Sequence, residues 1–390
     1  MASVSRVLMI APTPFFADRG CHVRILEEVR ALRQLGIEAS VVTYHLDRDL
    51  PDVRIDRIPR VPWVRHLGVG PSPHKLYLDL LLLMKTLQVA RRLRPQLLHA
   101  HLHEGAWICS ILARHIRLPV VADLQGSLTG ELRGHGWHGL ARLGARFERR
   151  IVRAPDALLA SSSAFARELI DTWGVPSERV VTLLDGVDVE RFHPHYETES
   201  LRERWGIGGK RVVVFLGVLT PYQGVDWLLE AVPYVARQIP DVHFLLLGYP
   251  NEASYSRLAQ RQGLSRWVSF PGRIDYALAP QALCVGHVAV APKLSPTEAN
   301  GKILNYMAAG LPVVASDNSV NRELLGQWGV YASPGNAEAL AQEVVSLLED
   351  EARARALGKA LRERAEAHFA WPVLAREIVA VYDRVAERRG

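Results

Sequence analysis

Residues 291–317, APKLSPTEANGKILNYMAAGLPVVASD, decide the fold. They begin at the end of an apolar strand, HVAVA over 287–291, and pass through a small-residue loop, Glu298-Ala-Asn-Gly301. The spacing predicts a short helix from Lys302 to Ala309, stopped by Gly310, and a new strand from Pro312 through Ala315. A glycine-ended loop feeding a helix start presents unpaired backbone N–H groups and the positive end of a dipole, which suits a phosphate. Glu298, Lys302 and Asn305 flank that turn, where they can hold the polar parts of a nucleotide. A phosphate-bearing donor is the expected ligand.

Outward from this stretch, strands and helices alternate in both directions. In the first half, apolar strands are expected at 6–11, 38–43, 97–101, 120–124, 157–160 and 180–184, with helices near 24–35 and up to His115. In the second half they are expected at 211–217, 242–248, 268–271, 288–291 and 313–315. Strands separated by helices mean parallel, doubly wound sheets. Between the halves the pattern loosens into a charged stretch, 196–205, followed by Gly206, Gly208 and Gly209, which reads as a linker. Domains are therefore expected at 1–195 and 205–370. The tail from 338 to 388 is rich in Ala, Glu, Leu and Arg, and a helix near 371–390 is expected to return to the first domain. The active site is expected between the domains, at the carboxyl ends of their strands.

Composition agrees with two α/β domains. At 390 residues the chain exceeds a single core of usual size, and its 48% apolar and 23% charged content is ordinary for a globular protein. Cys21, Cys109 and Cys284 lie far apart with no CxxC spacing, which argues against a disulfide framework and against a zinc site and suits a reducing cytoplasm. The most lipid-like run, 76–84, contains Asp79 and is far short of the ~20 residues that span a bilayer. The net charge of +6 is concentrated. Residues 54–94 hold nine Lys/Arg against two Asp, interleaved with Trp63, Leu67, Tyr77 and 80–83; residues 133–153 hold six Arg against one Glu, with Trp137 and Phe147. Basic residues mixed with Trp and Leu on helices suit an anionic membrane surface, and they equally suit solvated helix faces with an ordinary buried stripe. No stacking or reading-helix signature accompanies the charge, so nucleic acid is not an expected partner.

Five motifs in order carry a family resemblance. They are Ala154-Pro-Asp-Ala157 with Ser161-Ser-Ser163; Asp185-Gly-Val-Asp188 leading to Phe192-His-Pro194; Phe215-Leu-Gly217; Gly224-Val-Asp226; and Ala308-Ala-Gly310-Leu-Pro312-Val-Val. Over nearly its whole length the chain resembles a family 4 retaining glycosyltransferase of the GT-B fold, a divergent member. The resemblance implies two Rossmann-like domains facing a central cleft, a nucleotide-diphosphate-sugar donor, and a glycan or lipid-linked acceptor hydroxyl, as in polysaccharide or glycolipid biosynthesis. It also implies a hexosyltransferase-like enzyme with no cofactor and no metal, cytoplasmic or peripheral on the inner membrane face.

The departures from the family pattern matter as much. The family commonly places an Arg just after the glycine matching Gly217 and a Lys just before that matching Gly224, both on the donor diphosphate. Here Val218 and Gln223 stand there. The first of the family's two glutamates falls on Glu298 and the second on Asn305, with one residue fewer between, and Gln125 stands where many relatives have His. A diphosphate leaving group develops negative charge as the glycosidic bond breaks, and preorganised donors must meet it. The candidates are the backbone N–H groups from Gly301 to Ile303, with Lys302, Lys293 and Arg273 as cations. A lysine in a first helical turn opposes the helix dipole, so stability alone disfavours Lys302 there.

Glu298 is expected to accept hydrogen bonds from sugar hydroxyls at the reacting carbon, Asn305 to bond the ribose, and Asn300 to neighbour them. On the acceptor side the expected residues are Asp18, Gly20 and His22 in the loop after the first strand, His103 after the 97–101 strand, and Asp123 and Gln125 after the 120–124 strand. His99, His101 and His103 alternate along one strand face, but no matching Cys or Asp cluster is evident elsewhere, so no metal is expected. Two other readings stay open: a sugar-nucleotide 2-epimerase of the same fold, and a non-catalytic glycan-binding relative that has lost its diphosphate cations.

Overall fold

The computed structural model describes residues 4–16, 20–68, 72–134, 138–295 and 300–389. The chain divides into two compact units, one of residues 4–186 with 371–389, the other of 187–295 with 300–370.

Among the described residues the first unit holds seven strands: β1 (Arg6–Ala11), β2 (Glu38–Thr43), β3 (Arg54–Arg57), β4 (Leu97–His101), β5 (Val120–Leu124), β6 (Ala157–Ala160) and β7 (Val180–Thr182). They pair in parallel in the order β3-β2-β1-β4-β5-β6-β7. The central strands are apolar runs because helices cover both sheet faces, and β4 and β5 are buried throughout. Register places His101 level with Asp123. The order reverses between β1 and β4, which defines the unit's switch point.

The helix Gly20–Gln34 begins four residues before the expected start, so Gly20 and His22 belong to a helix and not to a loop. The basic segment resolves into the edge strand β3 and a twenty-residue helix, His74–Leu93. That helix buries Leu78, Leu82, Thr86, Val89 and Ala90 against the unit, at i, i+4 and i+3 steps. The last helix, Trp371–Glu387, belongs to this unit. Trp371 seats over Gly186, where a Cβ would meet the indole at 2.6 Å, and the Tyr382 hydroxyl bonds His99 Nδ1 at 2.5 Å.

The second unit holds β8 (Arg211–Leu216), β9 (Val242–Leu247), β10 (Val268–Gly272), β11 (Val288–Ala291), β12 (Val313–Ser316) and β13 (Val330–Ala332), in the parallel order β10-β9-β8-β11-β12-β13. The helix Val225–Gln238 buries Trp227, Leu228, Val232 and Val235, and each such side chain contributes about 1.5–3 kcal/mol of transfer free energy. The 196–205 stretch carries the short helix Glu199–Arg204, anchored by buried Leu201. Asp188 accepts from the amides of Glu190 and Arg191, Phe192 is fully buried, and Arg362 donates to the Phe192 carbonyl. The DGVDxxxFxP motif is thus a structural turn. In this sheet the order reverses between β8 and β11, and the loops leaving those two strands carry the candidate donor residues.

Candidate active site

Two loops meet at the β8/β11 switch point. The first leaves β8 through Gly217, runs through a short 3-10 turn over Pro221–Gln223, and enters the helix Val225–Gln238 at Gly224. Gly224 has φ 77°, and a Cβ there would lie 2.1 Å from the Pro292 carbonyl oxygen, so only glycine fits against the β11 loop. Gly248, after β9, is held as tightly: a Cβ would fall 1.7 Å from the Gly217 carbonyl oxygen. The second loop leaves β11 through Pro292 and Lys293 and resumes at Asn300, Gly301 and the helix Lys302–Ala308.

Lys302 joins the loops. Its ammonium donates to Gln223 Oε1 at 2.6 Å, lies 4.4 Å from the centre of the Phe215 ring, and abuts Gly217. Lys293 is buried, with its ammonium 5.7 Å from the centre of the Tyr222 ring. Burial, and then the charge of Lys293, push the Lys302 ammonium well below the usual lysine range. Among the described residues no carboxylate makes an ion pair with Lys302. A buried ammonium with depressed basicity beside a second lysine favours an incoming anion at the switch point.

The other expected donor residues divide. Ile303 is fully buried and its amide donates to the Asn300 carbonyl at 2.9 Å, so the backbone contributes less to anion binding than the loop pattern suggests. Asn300 is buried, donates to Asn321 Oδ1 at 3.0 Å, and leaves its own Oδ1 without a partner among the described residues. Asn305 is half-buried one turn further on. Arg273 lies exposed after β10, two strands from β8, its guanidinium 5.1 Å from the Tyr249 ring centre. Glu298 lies outside the described residues.

The acceptor-side expectations divide as well. Asp18 lies outside the described residues. Gly20 is exposed at the start of its helix, whereas His22 is buried between the Phe15 and Phe16 rings. His103 falls in the helix Leu102–Ile116, its Nε2 3.4 Å from Glu148. Asp123 is fully buried and holds Arg24 through two hydrogen bonds of 2.8 and 3.0 Å. Arg24 also reaches Asp185 at 2.6 Å and Glu28 at 3.0 Å, so Asp123 is a structural anchor and not an open sugar-binding group. The Arg24 guanidinium, together with bonds from His101, holds the Asp123 carboxyl far below the usual range although burial opposes it. Gln125, half-buried beyond β5, keeps its Nε2 without a hydrogen-bond partner among the described residues.

Sequence reasoning missed the Lys302–Gln223 bridge, whose partners are 79 positions apart. It also missed the network of Arg24 and Glu28, although their i,i+4 spacing on an amphipathic helix, with no solvent-facing partner expected, was the available signal.

A further feature is exposed apolar surface. On the helix His74–Leu93, Leu76 is 81% exposed, Leu80 54% and Met84 53%, successive i,i+4 positions on one face. Trp63, 74% exposed, precedes the helix, and Arg91 and Arg92 extend it. On the helix His138–Val152, Phe147 is exposed beside Arg146, Arg149 and Arg150. No described helix is long and apolar enough to cross a membrane.

Two Rossmann-ordered parallel sheets are the architecture of the GT-B glycosyltransferases. The sequence matches the glycosyl transferase 4-like domain over residues 19–186 and the glycosyl transferases group 1 family over residues 210–350. The chain belongs to the family 4 glycosyltransferases. It is 29% identical over 404 residues to the phosphatidyl-myo-inositol mannosyltransferase of Mycobacterium tuberculosis, covering 98% of this chain and 97% of that protein. It is 25% identical over 370 residues to the sulfoquinovosyl transferase SQD2 of Arabidopsis thaliana, covering 92% and 69% respectively. In fold it is similar to Alr3699/HepE of Anabaena, solved with UDP and glucose, at a TM-score of 0.79 and 18% identity, over 97% of this chain and 99% of that one.

Proposed function

We propose that this chain is a retaining glycosyltransferase that uses a nucleotide-diphosphate-sugar and delivers the sugar to a hydroxyl of a lipid-linked or glycan acceptor at an anionic membrane surface. The observation that carries this reading is the Lys302–Gln223 bridge at the β8/β11 switch point. The family's usual diphosphate lysine precedes the helix glycine; here that position is Gln223, and the ammonium arrives at the same place from the opposite loop. The cation is relocated, not lost, which favours catalysis over a non-catalytic glycan-binding role.

The chemistry follows. The C1–O bond to the diphosphate breaks while a C1–O bond to the acceptor oxygen forms on the same face, and the acceptor proton passes to the departing phosphate oxygen. Lys302 and Lys293 meet the charge growing on that leaving group, in surroundings where a fixed cation acts more strongly than in water. Glu298 and Asn305 are assigned to the sugar and ribose hydroxyls, and Asn300 to the neighbouring polar atoms. Gly217 and Gly224 let backbone approach the donor.

An acceptor held in a bilayer accounts for the exposed Leu76, Leu80 and Met84 stripe, which solvent alone does not favour at that density. It also fits the lipid acceptor named for the mannosyltransferase relative.

The test is a panel of UDP-, GDP- and ADP-sugars screened for thermal stabilisation. A donor at a hundred times its Kd stabilises by about 2.7 kcal/mol. The stabilising donor is then given an acceptor lipid extract, nucleoside diphosphate release is followed, and the product anomer is read by NMR. Inverted product would refute retention; no stabilisation and no release with any donor would sink the reading as a whole.

A further inference from the structure

Beneath the carboxyl ends of β4 and β5, the first unit buries a cluster that glycosyl transfer does not use: Glu28, His99, His101 and Asp123, each completely excluded from solvent. Both imidazoles have their Nδ1 atoms engaged, His101 with Asp123 Oδ2 at 3.3 Å and His99 with the Tyr382 hydroxyl at 2.5 Å. Among the described residues both Nε2 atoms lack a hydrogen-bond partner, and each lies 3.9 Å from the same atom, Glu28 Oε2.

That geometry leaves buried polar atoms unsatisfied among the described residues. Asp123 is an acceptor, so His101 must donate through Nδ1–H, and its Nε2 is then a bare lone pair aimed at a carboxylate oxygen. Two acceptors face each other across a gap too long for a hydrogen bond and wide enough for one atom. The charges are equally unmatched: Glu28, Asp123 and Asp185 surround the single guanidinium of Arg24. Fully ionised, the cluster is two negative charges in excess, at a depth where unpaired charge is costly.

We propose that Glu28 Oε2, His99 Nε2 and His101 Nε2 bind a divalent transition-metal ion, zinc by donor set, as a structural centre of the first unit. Glu28 Oε2 lies 3.9 Å from each Nε2, and one donor atom of each of Glu28, His99, His101 and Asp123 lies within 4.8 Å of the others. Zinc bonds of about 2.0–2.2 Å match half of each 3.9 Å separation. Two imidazoles and a carboxylate, with water in the fourth position, suit zinc over magnesium or calcium. The outer shell is already built: Asp123 accepts from His101 Nδ1–H and leaves that Nε2 unprotonated, and the Tyr382 hydroxyl can accept from His99 Nδ1–H when the ion takes the His99 Nε2. The ion would tie the helix Gly20–Gln34 to β4 and, through Tyr382, to the C-terminal helix, and it would balance the cluster's charge. Donor binding in the second unit is independent of it.

The intact chain, purified from zinc-supplemented medium and desalted, is assayed for metal content. It is also stripped with chelator and reloaded with Co²⁺. Expected are about one zinc per chain, visible d–d absorption of low-symmetry Co²⁺, and a melting temperature that falls on stripping and returns with zinc alone. Glu28→Gln and His101→Gln should each weaken zinc binding by at least tenfold while leaving thermal stabilisation by the sugar nucleotide unchanged. The wild-type Co²⁺ spectrum stands even if a variant fails to fold. A metal-free chain with no Co²⁺ spectrum and a chelator-indifferent melting temperature would overturn the proposal and leave the gap to a water or a proton on Glu28. So would zinc retained equally by both variants.

Discussion

Lys302→Met removes the ammonium while keeping a chain of similar length to pack beneath Phe215 and Gly217. The lost contact is a charge-assisted hydrogen bond to the leaving group, worth about 1.5–3 kcal/mol, and kcat/KM should fall by about tenfold to a hundredfold. Stability should not fall with it. Burial and Lys293 depress the Lys302 ammonium, so the folded state binds this proton less readily than the unfolded chain, and the lysine costs stability as pH falls through its folded pKa. Lys302→Met should therefore melt at or above the wild-type temperature at neutral pH and below. Donor binding carries the opposite sign. The diphosphate needs the ammonium, so the wild-type Kd should rise with pH from below the ordinary lysine range, and the Met variant should show a flat profile there. The decisive measurement is the swap. Because Nζ sits 2.6 Å from Gln223 Oε1, Gln223→Lys on the Lys302→Met background returns a cation to nearly the same point and should recover about tenfold or more of the lost kcat/KM. Wild-type turnover by Lys302→Met would refute the reasoning outright. Loss without recovery in the swap would show that the lysine acts by packing and not by charge.

Three further outcomes are expected. Asp79, buried on the helix His74–Leu93 and accepting from the Tyr44 hydroxyl, is pushed up to about 7 by burial. Its folded pKa exceeds the unfolded one, so its contribution is complete below about pH 4 and lost as pH rises through 7. Asp79→Asn keeps the acceptor and should stabilise the chain at pH 8 by about 2 kcal/mol, with a ceiling near 4, in urea melts; equal stabilisation at pH 4 would contradict the titration account. Gly224→Ala puts a Cβ 2.1 Å from the Pro292 carbonyl at φ 77°, and should cost about 3 kcal/mol and abolish donor-induced stabilisation. Wild-type melting would mean the loop relaxes freely. Leu76→Ser/Leu80→Ser/Met84→Ser should cut sedimentation with anionic vesicles by about tenfold without altering the melting temperature, whereas binding to neither anionic nor neutral vesicles by the wild type would remove the membrane from the proposal.

The fold was legible where a strand is buried on both faces. β1, β2, β4, β5, β6 and β11 begin and end where the apolar runs do, because uninterrupted Val, Leu, Ile and Ala stretches have no alternative in a helix-covered parallel sheet. β3 and β13 were missed for the opposite reason. Arg54-Ile-Asp-Arg57 is half solvated at a sheet edge and reads as charge, and Val330-Tyr-Ala332 is too short to show a period. The early helix start at Gly20 was hidden by a glycine and a histidine, which propensity assigns to a loop, but which tertiary contacts with Phe15 and Phe16 hold in place.

The candidate site was legible in kind and not in arrangement, and the physical reason is the same in each unit. Lys302 could be named from its place after Gly301, since a cation in a first helical turn is unfavourable unless something anionic repays it. Its meeting with Gln223 could not, because that contact depends on how closely the loops after β8 and β11 approach, and this in turn depends on Gly224 having no Cβ. In the first unit, Asp123 and the alternating histidines were visible as polar residues ending strands, which in an open parallel sheet reads as ligand-facing. The register that sets Asp123 beside His101, and the helix phase that turns Arg24 and Glu28 inward, convert the same residues into a buried ionic core. Polar residues at strand ends therefore carry two meanings that only the third dimension separates. In this chain they separate on one local feature, whether a guanidinium on the neighbouring helix reaches the carboxylate first.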